Sequence, residues 1–493
     1  MNIAISQTEH HQGFHLHLHN RVKEAEPFYR RAVSLDPGFK EAWMNLGLAV
    51  FALGRPEEAR DCQRKALRID PENADAQNNL GLIHYAQGHI AEAENCFRAA
   101  LRLRSDHANA TLNLGSTRQI LNHVEEAEGL FRRALALGVD PARGKSNLSL
   151  ALMEQVRPEE AELCCREALA TRPDHAEARA NLALALLMMG RLEEGWREYE
   201  SRWEVEAMGA PAPVLSQPRW IGQPLHGETI VLYAEQGFGD TLQFCRYAPM
   251  VAAAGGRVVL VVPKALRRLI TTLDGVAQVL SEEDDVLPPF DYHCPLLSLP
   301  FAFGTSMDTI PAPASYLRAD PAPWSDFLGE LSGLKVGLVW AGKSRTVQPH
   351  AVAIDKRRSM RLADMAPLLS VPGCSFVSLQ LGPPASQLQL LPQGAMLHDV
   401  SDRMTDWAET AGLIAGLDLV IAVDTAVAHL AGALGKPVWM LNRFDSCWRW
   451  FLNRDDTPWY PSMRQFRQTG RGDWGGVIER VRQALAQASG RDP

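Results

Sequence analysis

The sequence predicts an α-solenoid followed by an α/β region with two lobes. In the N-terminal region several residue types recur at a fixed interval of 34 positions. Beyond it, long helical segments give way to short β-branched runs that alternate with helical segments. A chain of 493 residues is also too long for one hydrophobic core, so several domains are expected.

The N-terminal repeat is defined by columns of identical or small residues. The leucine column is Leu46, Leu80, Leu114, Leu148 and Leu182, and the alanine columns begin at Ala25 and Ala32. Pro37, Pro71 and Pro173 close repeats, and small residues let paired helices approach. A 34-residue helix–turn–helix unit is that of tetratricopeptide repeats. Five units are clear, a degenerate helical remnant precedes Ala25, and we assign residues 1–204 to this superhelix.

An asparagine column runs through the five repeats: Asn45, Asn79, Asn113, Asn147 and Asn181. Asparagine offers both a donor and an acceptor, so a ladder of them on the concave surface would bind a peptide backbone. The alternative is that each asparagine only bonds within its own repeat turn. The ladder resembles that of O-GlcNAc transferase superhelices, and this resemblance implies a protein acceptor.

The C-terminal region predicts two parallel sheets of the doubly wound type, one in each lobe. We assign residues 205–226 to a linker, 227–325 to an N-terminal Rossmann-like lobe and 326–493 to a C-terminal donor-binding lobe. The predicted strands are Thr229–Tyr233, Arg257–Val262, Lys335–Trp340, Ser375–Leu379, Asp418–Val423 and Pro437–Leu441. Ligands of such sheets bind where the strands end, so the turns after Tyr233, Trp340, Leu379 and Val423 are the candidate sites.

Composition narrows the class of protein. The net charge of -8 argues against nucleic-acid binding, and the chain contains no apolar stretch long enough to span a membrane. The eight cysteines are scattered without a CxxC pair, which predicts reduced thiols and a cytoplasmic location. Five histidines near the start fit a polar terminus better than a metal site, and we predict no metal. Repeat proteins often self-associate, and the sequence leaves a homo-oligomer open.

The turn after Val423 reads Asp424-Thr-Ala-Val-Ala-His429 and opens a helix. Free N–H groups at a helix start suit a diphosphate, although Asp424 or Thr425 as a plain cap is the commoner reading. His429 is equally consistent with a core histidine.

Two motifs resemble a known family. Val423–Ala431, followed by Gly435-Lys-Pro-Val438, is similar to the donor-site motif of glycosyltransferase family 9, the ADP-heptose:LPS heptosyltransferases. Gly237-Phe-Gly-Asp240 looks like that family's glycine-rich loop. The segments 234–244 and 448–468 look still closer to the bacterial group that fuses such a domain to tetratricopeptide repeats. This resemblance implies a GT-B-like fold, a nucleotide-sugar donor, inversion at the anomeric centre, and no metal or other cofactor.

The resemblance also implies roles for individual residues. Asp240 would be the general base, with a helix cap as its alternative role, and Gly237 and Gly239 would form the loop beside the donor. Lys343 would neutralise the leaving diphosphate; the neighbouring 356–358 basic run would share this task or be solvated. The donor's phosphates, sugar and nucleoside would contact Asp424, Thr425, His429 and Gln380. The sequence departs from the family at Ala426, where glycine is usual, and after Leu379, where related proteins often place a lysine.

Arginines alternate with aromatic residues in the segment 443–471. This pattern suits either a cleft wall that stacks on sugar or base, or plain packing between the lobes. By analogy with two-lobed glycosyltransferases, the last helix, about 475–488, is expected to brace the first lobe.

The leading hypothesis is a metal-independent glycosyltransferase whose repeats present an acceptor, which we expect to be a protein. One rival is a non-catalytic repeat scaffold with a degenerate transferase-like domain. A second rival is an enzyme acting on a lipid-linked glycan, with the repeats recruiting partners. The sequence names neither the sugar nor the nucleotide.

Overall fold

The structure is a computed structural model that describes residues 2–205, 208, 213–283, 285–343, 349–391 and 394–490. The chain divides into two compact units, Met1–Ala178 with Arg345–Ala353, and Arg179–Ser344 with Ile354–Pro493. Within the described ranges, no helix has the length and apolar character needed to cross a membrane.

The first unit contains consecutive paired helices. They are α1 (Asn2–Leu18), α2 (Val22–Leu35), α3 (Lys40–Ala52), α4 (Pro56–Ile69), α5 (Ala74–Ala86), α6 (Ile90–Leu103), α7 (Ala108–Ile120), α8 (Val124–Ala136), α9 (Pro141–Glu154) and α10 (Pro158–Thr171). A proline opens α4, α9 and α10, where the missing N–H costs nothing. Asn73 caps α5 by accepting a hydrogen bond of 2.9 Å from the Ala76 N–H group.

Small residues bring the helices of each pair together. A Cβ atom on Gly81 or Gly115 would lie 2.6 Å from Cε1 of Phe97 or Phe131, so only glycine fits these positions. Gly13 lies one period before Gly47, and its Cβ would lie 3.0 Å from the Tyr29 ring. Helix α1 is therefore the degenerate helical remnant predicted before Ala25, and the helical solenoid is confirmed.

Two sheets lie in the second unit. Further helices lie there too, although two of them begin in the first unit, with residues 176–178 and 349–353. The further helices are α11 (Ala176–Met188), α12 (Leu192–Tyr199), α13 (Phe238–Phe244), α14 (Ala248–Ala253), α15 (Arg267–Ile270), α16 (Leu299–Ala302), α17 (Ser325–Glu330), α18 (Pro349–Arg358), α19 (Leu362–Leu369), α20 (Trp407–Ala415), α21 (Ala426–Ala433) and α22 (Trp474–Ala488). A 3-10 turn, Glu200–Glu204, follows α12. Helix α13 begins at Phe238, where the Asp240 side chain closes the first turn by accepting from the Gly237 N–H group.

The two sheets define two lobes. Their strands are β1 (Thr229–Tyr233), β2 (Arg257–Val262), β3 (Val276–Ser281), β4 (Tyr292–Pro295), β5 (Leu334–Val339), β6 (Cys374–Ser378), β7 (His398–Asp399), β8 (Leu419–Val423), β9 (Val438–Asn442) and β10 (Met463–Arg467). The first lobe has the order β3-β2-β1-β4 and the second β10-β9-β8-β5-β6-β7. Every strand pair described is parallel, as predicted.

The end of the repeat region belongs to the core of the second unit. Leu187, Trp196 and Tyr199 pack in one hydrophobic cluster with Ile230 and Phe244 of the first lobe. The division of the chain at residues 204, 226 and 325 stays a prediction.

The predicted linker is partly fixed to the first sheet. Residues 206, 207 and 209–212 lie outside the described residues. Further on, the Trp220 N–H group donates to the His293 carbonyl at 2.8 Å, and the Trp220 side chain is buried. The His293 N–H group donates in turn to the Pro218 carbonyl at 3.2 Å.

The prediction that the last helix braces the first lobe is wrong for the main packing surface of α22. The buried face of α22, which includes Val477, Val481 and Leu485, packs in the hydrophobic cluster of the second sheet. Its spacing of buried residues fits a helix that covers the sheet of its own lobe.

Candidate functional site

The second sheet has a topological switch point between β5 and β8. Strands β6 and β7 extend the sheet to one side of β5, and β8 to β10 extend it to the other. In open α/β sheets a ligand crevice forms where the strand order reverses, beyond the carboxyl ends of the two strands. The turns there begin at Trp340 after β5 and at Asp424 after β8, so both predicted turns meet at this point.

Arg358, at the end of α18, connects these two turns. Its Nη1 donates to the Asp424 carbonyl at 3.3 Å, and its Nη2 donates to the Lys343 carbonyl at 3.5 Å. An ion pair of 2.9 Å with Asp355 orients the guanidinium group. A Cβ on Gly342 would lie 2.8 Å from Nη2, so glycine is needed for this approach. The Lys343 side chain is exposed beside it.

The start of α21 has unfilled hydrogen-bonding capacity. Thr425 is the N-cap residue, yet its side chain makes no capping hydrogen bond. The Thr425 Oγ1 atom is buried and, in the part of the chain that the structure describes, has no hydrogen-bond partner. An uncapped helix start beside a guanidinium group is suited to an anion.

His429 lies one turn further along α21 and is buried. Its Nδ1 lies 2.9 Å from the Tyr460 hydroxyl, and its ring stacks on Trp450 with centroids 5.2 Å apart. Burial lowers the pKa of His429 to about 4, so the ring is neutral at physiological pH. These contacts match the core-histidine alternative; contact with the donor sugar stays a prediction.

The predicted glycine-rich turn of the first lobe lies against the second lobe. A Cβ on Gly239 would lie 2.9 Å from Cδ2 of His429. The Asp240 Oδ2 atom accepts a hydrogen bond of 3.0 Å from the Gly237 N–H group. Its Oδ1 atom forms an ion pair with Nη2 of Arg449 from the second lobe. The capping role is therefore observed, and the role as a base stays a prediction.

Arg449 is held tightly on its other sides. Its Nε donates to Gln243 Oε1 at 3.0 Å, and its guanidinium lies 4.2 Å from the centroid of the Trp448 ring. Burial acts to lower the pKa of Arg449, but its neighbours Asp240, Cys447 and Tyr199 together outweigh burial, and the net shift is upward. Sequence reasoning placed Arg449 in an arginine–aromatic segment without assigning it to Asp240, because a pair 209 positions apart leaves no local signal.

Gln380 uses its side chain to tie the turn after β6 to the turn after β5. Its Oε1 accepts from the N–H groups of Trp340 at 3.2 Å and Ala341 at 2.9 Å. Its Nε2 donates to the carbonyls of Ala341 at 3.0 Å and Leu381 at 3.1 Å. Gln380 therefore lies at the predicted edge of the sheet with its amide occupied, and its contact with a nucleoside stays a prediction.

The asparagine column bonds within the repeats. Asn113 Nδ2 donates to Asn78 Oδ1 at 2.9 Å, and Asn113 Oδ1 accepts from Arg143 at 3.1 Å. Asn45 bonds to His10 at 2.8 Å, and Asn147 donates to Ser116 at 3.3 Å. Asn79, Asn113 and Asn181 are buried. These bonds join neighbouring repeats and not the two ends of one repeat turn. Peptide binding by the column stays a prediction.

Comparison with known families separates the two parts of the chain. Models of the tetratricopeptide repeat match residues 40–106, 78–141 and 146–211. The model of glycosyltransferase family 9 (heptosyltransferase) matches residues 398–445, which include Asp424, Thr425 and His429. The chain is thus a repeat protein with a parallel-sheet α/β region. More particularly, it carries matches to tetratricopeptide-repeat models in its N-terminal part and a match to the model of glycosyltransferase family 9 over residues 398–445.

Individual relatives resemble parts of the chain. Protein FlbA of Caulobacter vibrioides is 30% identical over 324 residues, covering 60% of this chain and 52% of FlbA. This chain therefore spans about half the length of that relative.

Two solved structures resemble the repeats. A thermophilic tetratricopeptide-repeat protein of Thermus thermophilus is 24% identical with a TM-score of 0.34, over 37% of this chain and 99% of that one. PilF of Pseudomonas aeruginosa is 18% identical with a TM-score of 0.36, over 42% of this chain and 93% of that one. TM-scores this low support no inference about function.

Proposed function

We propose that the chain is a glycosyltransferase that moves a sugar from a nucleotide-sugar donor to an acceptor hydroxyl. The observation that carries this proposal is the start of α21, where the buried Thr425 Oγ1 has no partner among the described residues and Arg358 lies across the adjacent turns. The donor diphosphate would bind there, with its charge met by Arg358, Lys343 and the helix N-terminus. The family 9 match over the same helix supports the class of reaction.

The proposed reaction is a single displacement. The acceptor oxygen forms a bond to the anomeric carbon as the bond to the diphosphate breaks, and the nucleoside diphosphate leaves with the electron pair. The acceptor proton passes to Asp240, whose carboxylate is oriented by the ion pair with Arg449. A single displacement inverts the anomeric configuration. Arginine and lysine would stabilise the departing charge without a metal ion.

The acceptor is proposed to be a protein or peptide presented by the repeats. Tetratricopeptide repeats are interaction modules, and this supports a polypeptide rather than a lipid-linked partner. Eight free cysteines support a reducing compartment, so we place the reaction in the cytoplasm.

The test is a thermal-shift panel of ADP-, GDP- and UDP-linked sugars without divalent metal. A donor at about 100 times its Kd stabilises the folded protein by about 2.7 kcal/mol. We expect one nucleotide class to raise the Tm and Arg358→Ala to abolish the rise. Arg361→Ala is the matched control, because Arg361 is an exposed arginine that pairs with the nearby Asp364. The proposal fails if the folded wild-type protein shifts with no donor at millimolar concentration.

A non-catalytic scaffold is the second candidate function. It is favoured by one observation: both oxygens of Asp240 are already engaged, one by the Gly237 N–H group and one by Arg449. A carboxylate held in this way has a structural role even without chemistry. A thermal-shift panel in which no donor binds would favour this candidate.

A further inference from the structure

The first lobe has its own switch point, between β1 and β4. The turn after β1 runs through Glu235 and Gln236 to Asp240, and the turn after β4 is the 3-10 segment Leu296–Ser298. A ligand crevice is expected between such turns. Here an arginine from the end of the repeat region fills it. The Arg202 side chain is only 2% exposed at this point.

Arg202 joins both turns directly. Its Nε and Nη2 donate to the two carboxylate oxygens of Glu235 at 2.8 and 2.9 Å. The same Nη2 donates to Ser298 Oγ at 2.7 Å. Glu235 Oε1 also accepts from the Leu297 N–H group at 3.0 Å. The bidentate contact with Arg202 fixes both the position and the orientation of the Glu235 carboxylate.

The next residue of the turn is held from the same direction. Gln236 Nε2 donates to the Tyr199 hydroxyl at 3.3 Å and lies 3.4 Å from the Met208 carbonyl. Two consecutive residues of the turn therefore depend on residues 199–208. Four positions after Gln236, the same turn delivers Asp240 to the contact with the second lobe.

Because it is buried, the Arg202–Glu235 pair is sensitive to substitution of either residue. The Glu235 side chain is 4% exposed, so removal of Arg202 would leave a buried carboxylate without its main partner. The turn would then have to move to hydrate Glu235. A movement of Glu235 would also displace Gly237, Gly239 and Asp240, because these residues follow it closely in the chain.

We propose that Arg202 is a positioning residue of the transferase site, supplied by the end of the repeat region. Arg202 holds the turn after β1 so that Asp240 lies at the interlobe contact, and it touches neither donor nor acceptor. The predicted loss of turnover rests on the proposed function, whereas the predicted effect of Arg202 on the turn does not.

The test compares Arg202→Met and Arg202→Lys in the full chain by hydrogen–deuterium exchange and by steady-state release of nucleoside diphosphate from the ADP-, GDP- and UDP-linked sugars. Arg197→Met is the matched control, because Arg197 is an exposed arginine of the neighbouring helix α12. We expect Arg202→Met to speed amide exchange over residues 234–240 by about tenfold or more. We expect it to lower kcat by about 10- to 100-fold, with the donor KM changed less than about threefold. Arg202→Lys should restore part of both effects, and Arg197→Met should change neither.

Two results would overturn the inference. One is unchanged exchange over 234–240 in folded Arg202→Met; the other is faster exchange with unchanged kcat. If Arg202→Met does not fold, Arg202→Lys and Gln236→Ala decide the question by the same readouts, since each weakens only part of the junction. A folded wild-type chain whose Tm is raised by no donor in the thermal-shift panel refutes the proposed function. The exchange data then still decide whether Arg202 holds the turn.

Discussion

A Cβ atom on Gly239 would lie 2.9 Å from Cδ2 of His429, because the first turn of α13 packs directly against α21. The two residues come from different lobes and from the two motifs that carry the family resemblance. The His429 ring cannot shift away easily, because it is stacked on Trp450 and hydrogen-bonded to the Tyr460 hydroxyl. The glycine is therefore a requirement of the interlobe contact.

Gly239→Ala should destabilise the second unit by about 1–3 kcal/mol, because the added methyl overpacks a buried contact. Chemical denaturation followed by tryptophan fluorescence measures this change. Gly475→Ala in α22 is the control, because a Cβ there meets no atom within 4 Å. Equal stabilities of the two variants would contradict the packing described.

Acidification should destabilise the protein through His429. Its folded-state pKa of about 4 lies below the ordinary value of 6.5, so the unfolded chain takes up the proton first. The free energy of unfolding should fall by up to about 3 kcal/mol as the pH drops from 6.5 towards 4, since each pKa unit corresponds to about 1.4 kcal/mol. His429→Gln should flatten this part of the pH profile in denaturant titrations. His226→Gln, at an exposed site, should leave the wild-type slope in place.

Asp240→Asn should lower turnover by about 10²- to 10⁴-fold if Asp240 is the base, while nucleotide affinity changes little. Calorimetry with the nucleoside diphosphate and a product-release assay measure the two quantities separately. Exposed Asp308→Asn is the control. An Asp240→Asn variant with full turnover would leave the carboxylate only its contacts with Gly237 and Arg449.

Trp196→Ala should destabilise the second unit by about 3–5 kcal/mol, although Trp196 lies in a repeat helix. Its ring is 1% exposed and meets Phe244, Trp448 and Trp459 edge to face, with centroids 5.2–6.5 Å away. Differential scanning calorimetry should show a lowered transition. Ile221→Ala, at a side chain that is 61% exposed, should change stability by less than about 0.5 kcal/mol.

Asn113→Ala should destabilise the repeats by about 1–3 kcal/mol, because it leaves Asn78 and Arg143 without their shared partner. Asn109→Ala is a matched control on the same helix, since Asn109 is exposed. Circular dichroism melts compare the two variants. If both melt like the wild-type protein, the asparagine column has no intramolecular role, and peptide binding becomes its better explanation.

The repeats and six strands could be predicted because their signals are local. A fixed 34-residue period identified the solenoid, and β-branched runs placed each of the six predicted strands to within one residue. The other four strands have weaker local signals. β3 separates its valines by exposed residues, β4 has four residues and β7 has two. β10 mixes Arg464 and Arg467 with buried Met463 and Phe466, so its sequence resembles the rest of the arginine–aromatic segment.

The arginine–aromatic segment shows what sequence patterns leave undecided. Trp448, Trp450, Trp459 and Tyr460 are all buried, which matches packing between the lobes rather than an open stacking surface. Likewise, Asp240, Asp424 and His429 belong to local motifs, yet their partners Arg449, Arg358 and Tyr460 come from distant segments. Such pairings are set by sheet order, which local patterns do not encode.

The burial of Trp196 has a consequence for how the chain is made. Trp196 leaves the ribosome well before Trp448 and Trp459, whose rings pack on it, because they lie about half a chain length further along the sequence. At a translation rate of about 5–20 residues per second, the apolar face of Trp196 stays uncovered for on the order of ten to fifty seconds before those partners emerge. The end of the superhelix is therefore the segment of the nascent chain for which chaperone protection matters most, even though the repeats before it can fold as they emerge.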